Sequence, residues 1–230
     1  MIPLLFRLSC YCVVIMLVCS CTLSAQGEYL LQGQSGLGVG GAITTNGDGF
    51  GAGGAFGYSV HGLFDFGFSL AHYSLNQKIN GDDVSSIVLS PSITFHTRKD
   101  STSYPIASVH ASYQYQNFSS RSLTVTRTSL TGNFFAFGIS ILATFPASAK
   151  SYVQPAVDVS VVSGTTKLTA GSGYSLENTE TKPVGIVSFS LISKTSDKTM
   201  IVLSPAVGFD KDNVTLGLSL ALIFVTVERK

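Results

Sequence analysis

Over Val214-Thr215-Leu216-Gly217-Leu218-Ser219-Leu220-Ala221-Leu222-Ile223-Phe224, every second residue is large and apolar, and most residues between are small or polar. Alternate side chains of a β-strand point to opposite faces, so this beat describes a strand with one oily side. The beat returns through most of the chain. Strands are expected at about 35–45, 49–60, 62–76, 84–97, 103–118, 132–145, 150–163, 181–194, 198–209 and 213–227. Most exceed the ~5–6 residues usual in globular sheets and reach the ~9–11 that cross a bilayer at a tilt. The oily rows are too uniform, and the rows between them too small and polar, for an ordinary soluble core. The pattern implies an all-β chain closed as an antiparallel up-and-down transmembrane β-barrel of about ten strands. Closure also removes the edge strands that such apolar sheets would expose.

Residues 1–25 have the layout of a cleaved signal peptide. Arg7 is followed by the apolar run Val13-Val14-Ile15-Met16-Leu17-Val18 and then by the small-residue stretch Leu23-Ser24-Ala25. The run is too short for a comfortable helical span, and no later apolar stretch approaches the ~20 residues that one requires. Residues 26–230 are then a single β-barrel domain. A second processing option is lipidation at Cys21, because Val18-Cys19-Ser20-Cys21 loosely resembles a bacterial lipobox. All four cysteines lie in this leader, so cleavage after Ala25 leaves no disulfide, thiol nucleophile or Cys-based metal site. Removing Arg7 also brings Lys plus Arg level with Asp plus Glu. A neutral, sparsely charged chain offers no electrostatic case for nucleic acid. No cofactor is expected.

The connections alternate in length. With the N-terminus in the periplasm, the inner turns are 60–62, 98–102, 146–149 and 195–197, and the outer connections are 46–48, 78–83, 119–131, 164–180 and 210–212. The two longest fall on the outer side, as in outer-membrane barrels. Lys and Arg collect in the connections. In the central stretches of the strands only Asp65 and Asp158 are charged, and both fall in the inward register. Aromatics gather near both strand ends, as expected at two membrane interfaces. Pro91, Pro155 and Pro205 interrupt strands, and bulges are expected there.

Gly49-Phe50-Gly51-Ala52-Gly53-Gly54-Ala55-Phe56-Gly57-Tyr58-Ser59-Val60-His61-Gly62-Leu63-Phe64-Asp65-Phe66-Gly67-Phe68 resembles the opening hairpins of small bacterial outer-membrane β-barrel proteins. That resemblance implies the outer membrane of a Gram-negative-type bacterium, outer-membrane lipids as surroundings and the barrel-assembly machinery as a partner. Many such barrels end on an aromatic residue that the insertion machinery recognises, whereas this chain continues past Phe224 to Glu228-Arg229-Lys230.

Gly36-Leu37-Gly38-Val39-Gly40-Gly41 and Gly49-Phe50-Gly51-Ala52-Gly53-Gly54 match the dinucleotide-binding glycine pattern, but no helix follows either copy. Small residues packing inside a barrel explain them better. His110 and Ser112 share one strand face and could support lipid hydrolysis. A triad needs a carboxylate within reach, yet strand 132–145 has none, and Asp158 lies two strands later. The four histidines show no metal-ligand spacing.

Asp65, His110, Ser112, Gln114, Gln154 and Asp158 are therefore expected to face the lumen, joined by Ser86, Ser90, Ser92, Ser108 and Gln116. So many small residues suggest a rather wet interior. The function expected is a structural or surface protein or a narrow passive pore, not an enzyme. The alternatives are a barrel-scaffolded lipid hydrolase and a soluble exported β-sandwich or lipocalin-like binding protein. Loops 119–131 and 164–180 are where partners are expected.

Overall fold

The computed structural model describes Leu30, residues 33–97 and residues 105–227. The signal segment, Cys21 and the whole 98–102 turn lie outside the described residues. Along the chain run β1 (Ser35–Asn46), β2 (Gly49–Val60), β3 (Phe64–Ile79), β4 (Asp82–His96), β5 (Ile106–Ser119), α1 (Arg121–Val125), β6 (Ser129–Leu142), β7 (Phe145–Pro146), β8 (Ser151–Thr169), β9 (Ser175–Ser196), β10 (Thr199–Phe209) and β11 (Val214–Val227). The ten long strands pair antiparallel with their neighbours. β11 returns to β1 and β6 pairs with β8, so the sheet closes; β7 adds a two-residue ladder to β8.

The register sends the oily rows outward. Along β11, Leu216, Leu218 and Leu220 are exposed, whereas Thr215, Ser219 and Ile223 are buried. The same holds for Phe135, Phe137, Ile139 and Ile141 of β6 and for Val157, Val159 and Val161 of β8. Moving a Leu, Val or Phe side chain from water to an apolar medium is worth about 1.5–3 kcal/mol. Continuous rows of them around a closed cylinder therefore require a bilayer. One sheet closed on itself, with its apolar rows outside, overturns the soluble-sandwich alternative, which needs those rows between two sheets. Outward aromatic pairs sit directly across strands, with ring centroids 5.0 Å apart for Phe64–Phe95 and 4.9 Å for Tyr113–Phe135.

The prolines do not make bulges. At Pro91 the β4–β5 ladder lapses between Leu89↔Tyr115 and Ser92↔Ser112 and resumes in the same register. At Pro205 the β9–β10 ladder lapses likewise between Leu203↔Leu191 and Ala206↔Ser188. Pro155 lies where the β6–β8 ladder stops at Leu142↔Ala156, and β7 continues the same register at Phe145↔Val153. Each proline lacks an N–H on one side only, and its other neighbour pairs without a break. The register shifts that do occur lie at strand ends, such as Leu75/Lys78.

Among the described residues, buried apolar clusters occupy both ends of the interior. Towards the outer end, Tyr73, Leu75, Val84, Phe118, Leu130, Phe134, Val162, Val184 and Ile186 form one apolar cluster. Leu123 of α1 joins it from the 119–131 connection, and Ser122 Oγ holds that helix by donating to Asp82 Oδ2 (2.5 Å). Towards the inner end, Leu30, Ile192, Met200, Val202, Ile223 and Val225 form a second cluster. Glycines in the wall make room for the rings. A Cβ on Gly51 would run into the Tyr73 ring, and one on Gly132 or Gly164 would run into Phe134.

Loop 164–180 is mostly strand. With β6 paired to β8 as far as Ser129↔Thr169 and β9 rising past the end of β10, β8 and β9 continue as a hairpin turning at 170–174. Its outer face replaces the oily row with polar cross-strand pairs: Ser163–Thr181 (2.9 Å), Thr165–Thr179 (2.9 Å) and Lys167–Glu177 (2.7 Å).

Candidate functional site

Between the two apolar clusters lie polar layers, and two histidines organise them. Thr94, His110, Gly138 and Ser160 follow one another across β4, β5, β6 and β8. The next row down is His96, Ser108, Ser140 and Asp158. Strand alternation points all of these side chains inward.

His96, at the end of β4, is fully buried. Its Nε2 lies 2.9 Å from Asp65 Oδ2 and its Nδ1 lies 2.7 Å from Ser108 Oγ. The imidazole thus bridges a β3 carboxylate and a β5 hydroxyl. Sequence reasoning placed Asp65 inside but missed its partner. The signal was present: with Phe64 opposite Phe95, Asp65 and His96 become inward diagonal neighbours.

His110 reaches across a whole strand. Its Nε2 lies 3.1 Å from Ser160 Oγ and its Nδ1 lies 3.3 Å from Asp158 Oδ2, both on β8. Gly138 on the intervening β6 permits this, because a Cβ there would collide with Ser160 Oγ and the imidazole. The expected Asp158 carboxylate is therefore beside His110, but the hydroxyl is Ser160 and not Ser112. Ser112 is buried on the same face, cross-strand from Ser92 and Ala136.

This trio has the residue types of a hydrolytic triad with the wrong proton arrangement. Ser160 Oγ donates to Asp158 Oδ1 at 2.6 Å, so its single proton is committed to the carboxylate. Towards His110 Nε2 the hydroxyl must then accept, with the ring N–H donating. A general base needs the reverse polarity. The trio also lies deep between the two apolar clusters, with His110 and Asp158 side chains only 11% and 15% exposed. What the arrangement does chemically is tie β5 to β8 across β6.

Gln114, Gln116 and Gln154 are fully buried. Gln116 Nε2 donates to Ser86 Oγ (2.8 Å) and Gln154 Nε2 donates to Thr144 Oγ1 (2.8 Å). Both amide atoms of Gln114 lack a hydrogen-bond partner among the described residues. Among those residues no cluster of three or more His, Cys, Asp or Glu is arranged to hold a metal ion.

The outer rim carries a third polar group. Lys182, on the inward face of β9, is buried with its Nζ 3.2 Å from Glu180 and 3.9 Å from both Asp210 and Asp212. With a strand expected from 181, Lys182 lies at its margin, where the sequence does not show an inward direction. Asp48, in the β1–β2 turn, has its carboxyl held above the ordinary range by burial and by the negative charge of Asp210.

No family model matches the sequence, and no curated protein matches it. The fold has solved counterparts. The translocator domain of the autotransporter NalP from Neisseria meningitidis is 10% identical, covers 95% of each chain and superposes with a TM-score of 0.53. The β domain of the Bordetella autotransporter BrkA is 8% identical, covers 83% of this chain and 98% of its own, and gives a TM-score of 0.52. Identities this low speak to fold alone. The chain thus has the fold of outer-membrane β-barrels, and its closed sheet with apolar rows outside is that of a membrane-spanning barrel.

Proposed function

We propose that this barrel is a non-conducting surface protein, anchored by its wall and presenting its outer rim, above all the β8–β9 hairpin, to the cell's surroundings. One observation carries this: apolar clusters fill the interior towards both ends, the outer one including Phe134, Leu130 and Leu123 of α1. A solute or ion path needs a continuous polar lumen, and an apolar constriction resists wetting. The rim hairpin supports the same conclusion, since β8 and β9 spend residues on ordered structure beyond the span that a bilayer requires. The barrel-assembly machinery is proposed as the insertion partner, as for other barrels of this architecture. Planar-bilayer recordings of the refolded protein test the central point. The barrel is expected to insert without unitary current steps, and reproducible ohmic steps would overturn the proposal.

A hydrolytic role is the second reading, favoured only by the proximity of His110, Asp158 and Ser160. The committed Ser160 proton and the sealed location argue against it. The protein is proposed to act without catalysis.

A further inference from the structure

The strands of the outer rim stop at different heights. β10 ends at Phe209, opposite Gly185 of β9. β11 begins at Val214, and β1 passes into β2 between Asn46 and Gly49. β9, however, begins at Ser175 and over Ser175–Val184 is paired with β8 alone. At about 3.3 Å per residue, some 30 Å of β9 edge stands above the end of β10 with no strand beside it on that side among the described residues.

Exposed edges are templates for further strands, and proteins blunt them with prolines, bulges or charges. Here Pro183 guards only the base, where β9 passes the end of β10. From Ser175 to Thr181 there is no proline, and the β8–β9 register runs without a shift. Lys167 is engaged by Glu177 on the outer face.

Below this edge lies an acidic step. The β10–β11 turn contributes Asp210 and Asp212, and the β1–β2 turn contributes Asp48. Glu180 stands beside them, and the Lys182 ammonium is inserted among Glu180, Asp210 and Asp212. The Asp48 carboxyl is raised first by burial and then by the negative charge of Asp210. Lys211 leaves the step net negative.

We infer that the edge of β9 over Ser175–Thr181 accepts an extended segment of another protein as an added antiparallel strand, with Lys or Arg at the end lying over Asp48, Asp210 and Asp212. Such a strand continues the path of β10 and runs in its direction. Its N-terminal end is therefore the basic one. A second copy is a poor occupant, because in one membrane its own edge points the same way and carries the same negative charge. Main-chain bonding supplies affinity and the carboxylates supply orientation. This inference rests on the surface role proposed above, and specifies the partner's chemistry.

The test uses the full barrel in nanodiscs and fluorescent eight-residue peptides: two lysines followed by alternating threonine and valine, a glutamate analogue, and a form N-methylated at alternate residues. The lysine peptide is expected to bind saturably and to slow amide exchange at 175–181. Binding should weaken about tenfold for the glutamate analogue, and for the lysine peptide on a barrel carrying Asp210→Asn with Asp212→Asn. Those asparagines keep the oxygen that accepts the Asp212 and Asn213 amides. Absent binding, binding indifferent to N-methylation, or protection elsewhere than β9 overturns the inference. A separate arm labels Ser172→Cys, at the hairpin tip, on intact cells with a membrane-impermeant maleimide. Failure to label sinks the surface role itself, whereas labelling with no peptide binding sinks only the strand addition.

Discussion

His110 Nε2 and Ser160 Oγ meet at 3.1 Å across a strand that contributes no side chain, because Gly138 stands between them. The glycine is the condition for the contact. Gly138→Ala should force the imidazole and hydroxyl apart and destabilise the barrel by about 1–3 kcal/mol, the usual cost of overpacking. Urea unfolding in lipid vesicles, followed by heat-modifiable gel mobility, measures this. An unchanged midpoint would mean that the His110–Ser160 bridge has no structural role.

The Asp65–His96 pair is the more deeply buried of the two. Removing one partner of a buried hydrogen-bonded pair leaves the other unsatisfied at a cost of about 1–3 kcal/mol, while replacing both with apolar groups of similar shape is often near neutral. Asp65→Leu and His96→Phe should each be strongly destabilising alone, and the double variant should recover much of the loss. Additive losses in the double-mutant cycle would show that the two side chains do not act as a pair.

Gln114 buries an amide whose two polar atoms have no hydrogen-bond partner among the described residues. A buried, unsatisfied group costs about 1–3 kcal/mol. Gln114→Met, of similar size, should leave stability unchanged or raise it, whereas Gln116→Met should lower it by breaking the bond to Ser86. The two unfolding midpoints must move differently. A fall in both would show that Gln114 is engaged.

Asp48 gives the rim a pH dependence of known sign. Its folded carboxyl binds a proton more readily than the unfolded one, first because of burial and then because of Asp210. Its contribution to stability is therefore greatest below the unfolded carboxylate pKa and is lost as pH rises through the folded one. Asp48→Asn should stabilise the barrel at neutral pH relative to wild type, with the difference vanishing in acid. A difference that grows in acid contradicts this assignment.

The spanning strands were legible because a bilayer favours period 2 strongly, and Leu216, Leu218, Leu220 and Leu222 obey it. Above the membrane that pressure ends. β8 and β9 continue on Thr165, Lys167, Glu177 and Thr179, whose polarity resembles that of a loop. The packed interior was hidden for another reason. Gly51, Gly132 and Gly164 look like lumen space in the sequence, but each lies beneath a ring, Tyr73 over Gly51 and Phe134 over the other two. The site was half legible: inward register located His110 and Asp158, but only closure of β6 against β8, and the gap at Gly138, selects Ser160 over Ser112.

The claim on which everything rests is that the outer rows touch lipid around a closed wall. Single cysteines at positions 216 to 222, each carrying an environment-sensitive fluorophore, can be challenged with brominated acyl chains in vesicles. Quenching should alternate strictly, strong at Leu216, Leu218, Leu220 and Leu222 and weak at Gly217, Ser219 and Ala221. Uniform quenching, none at all, or the opposite alternation would contradict the account.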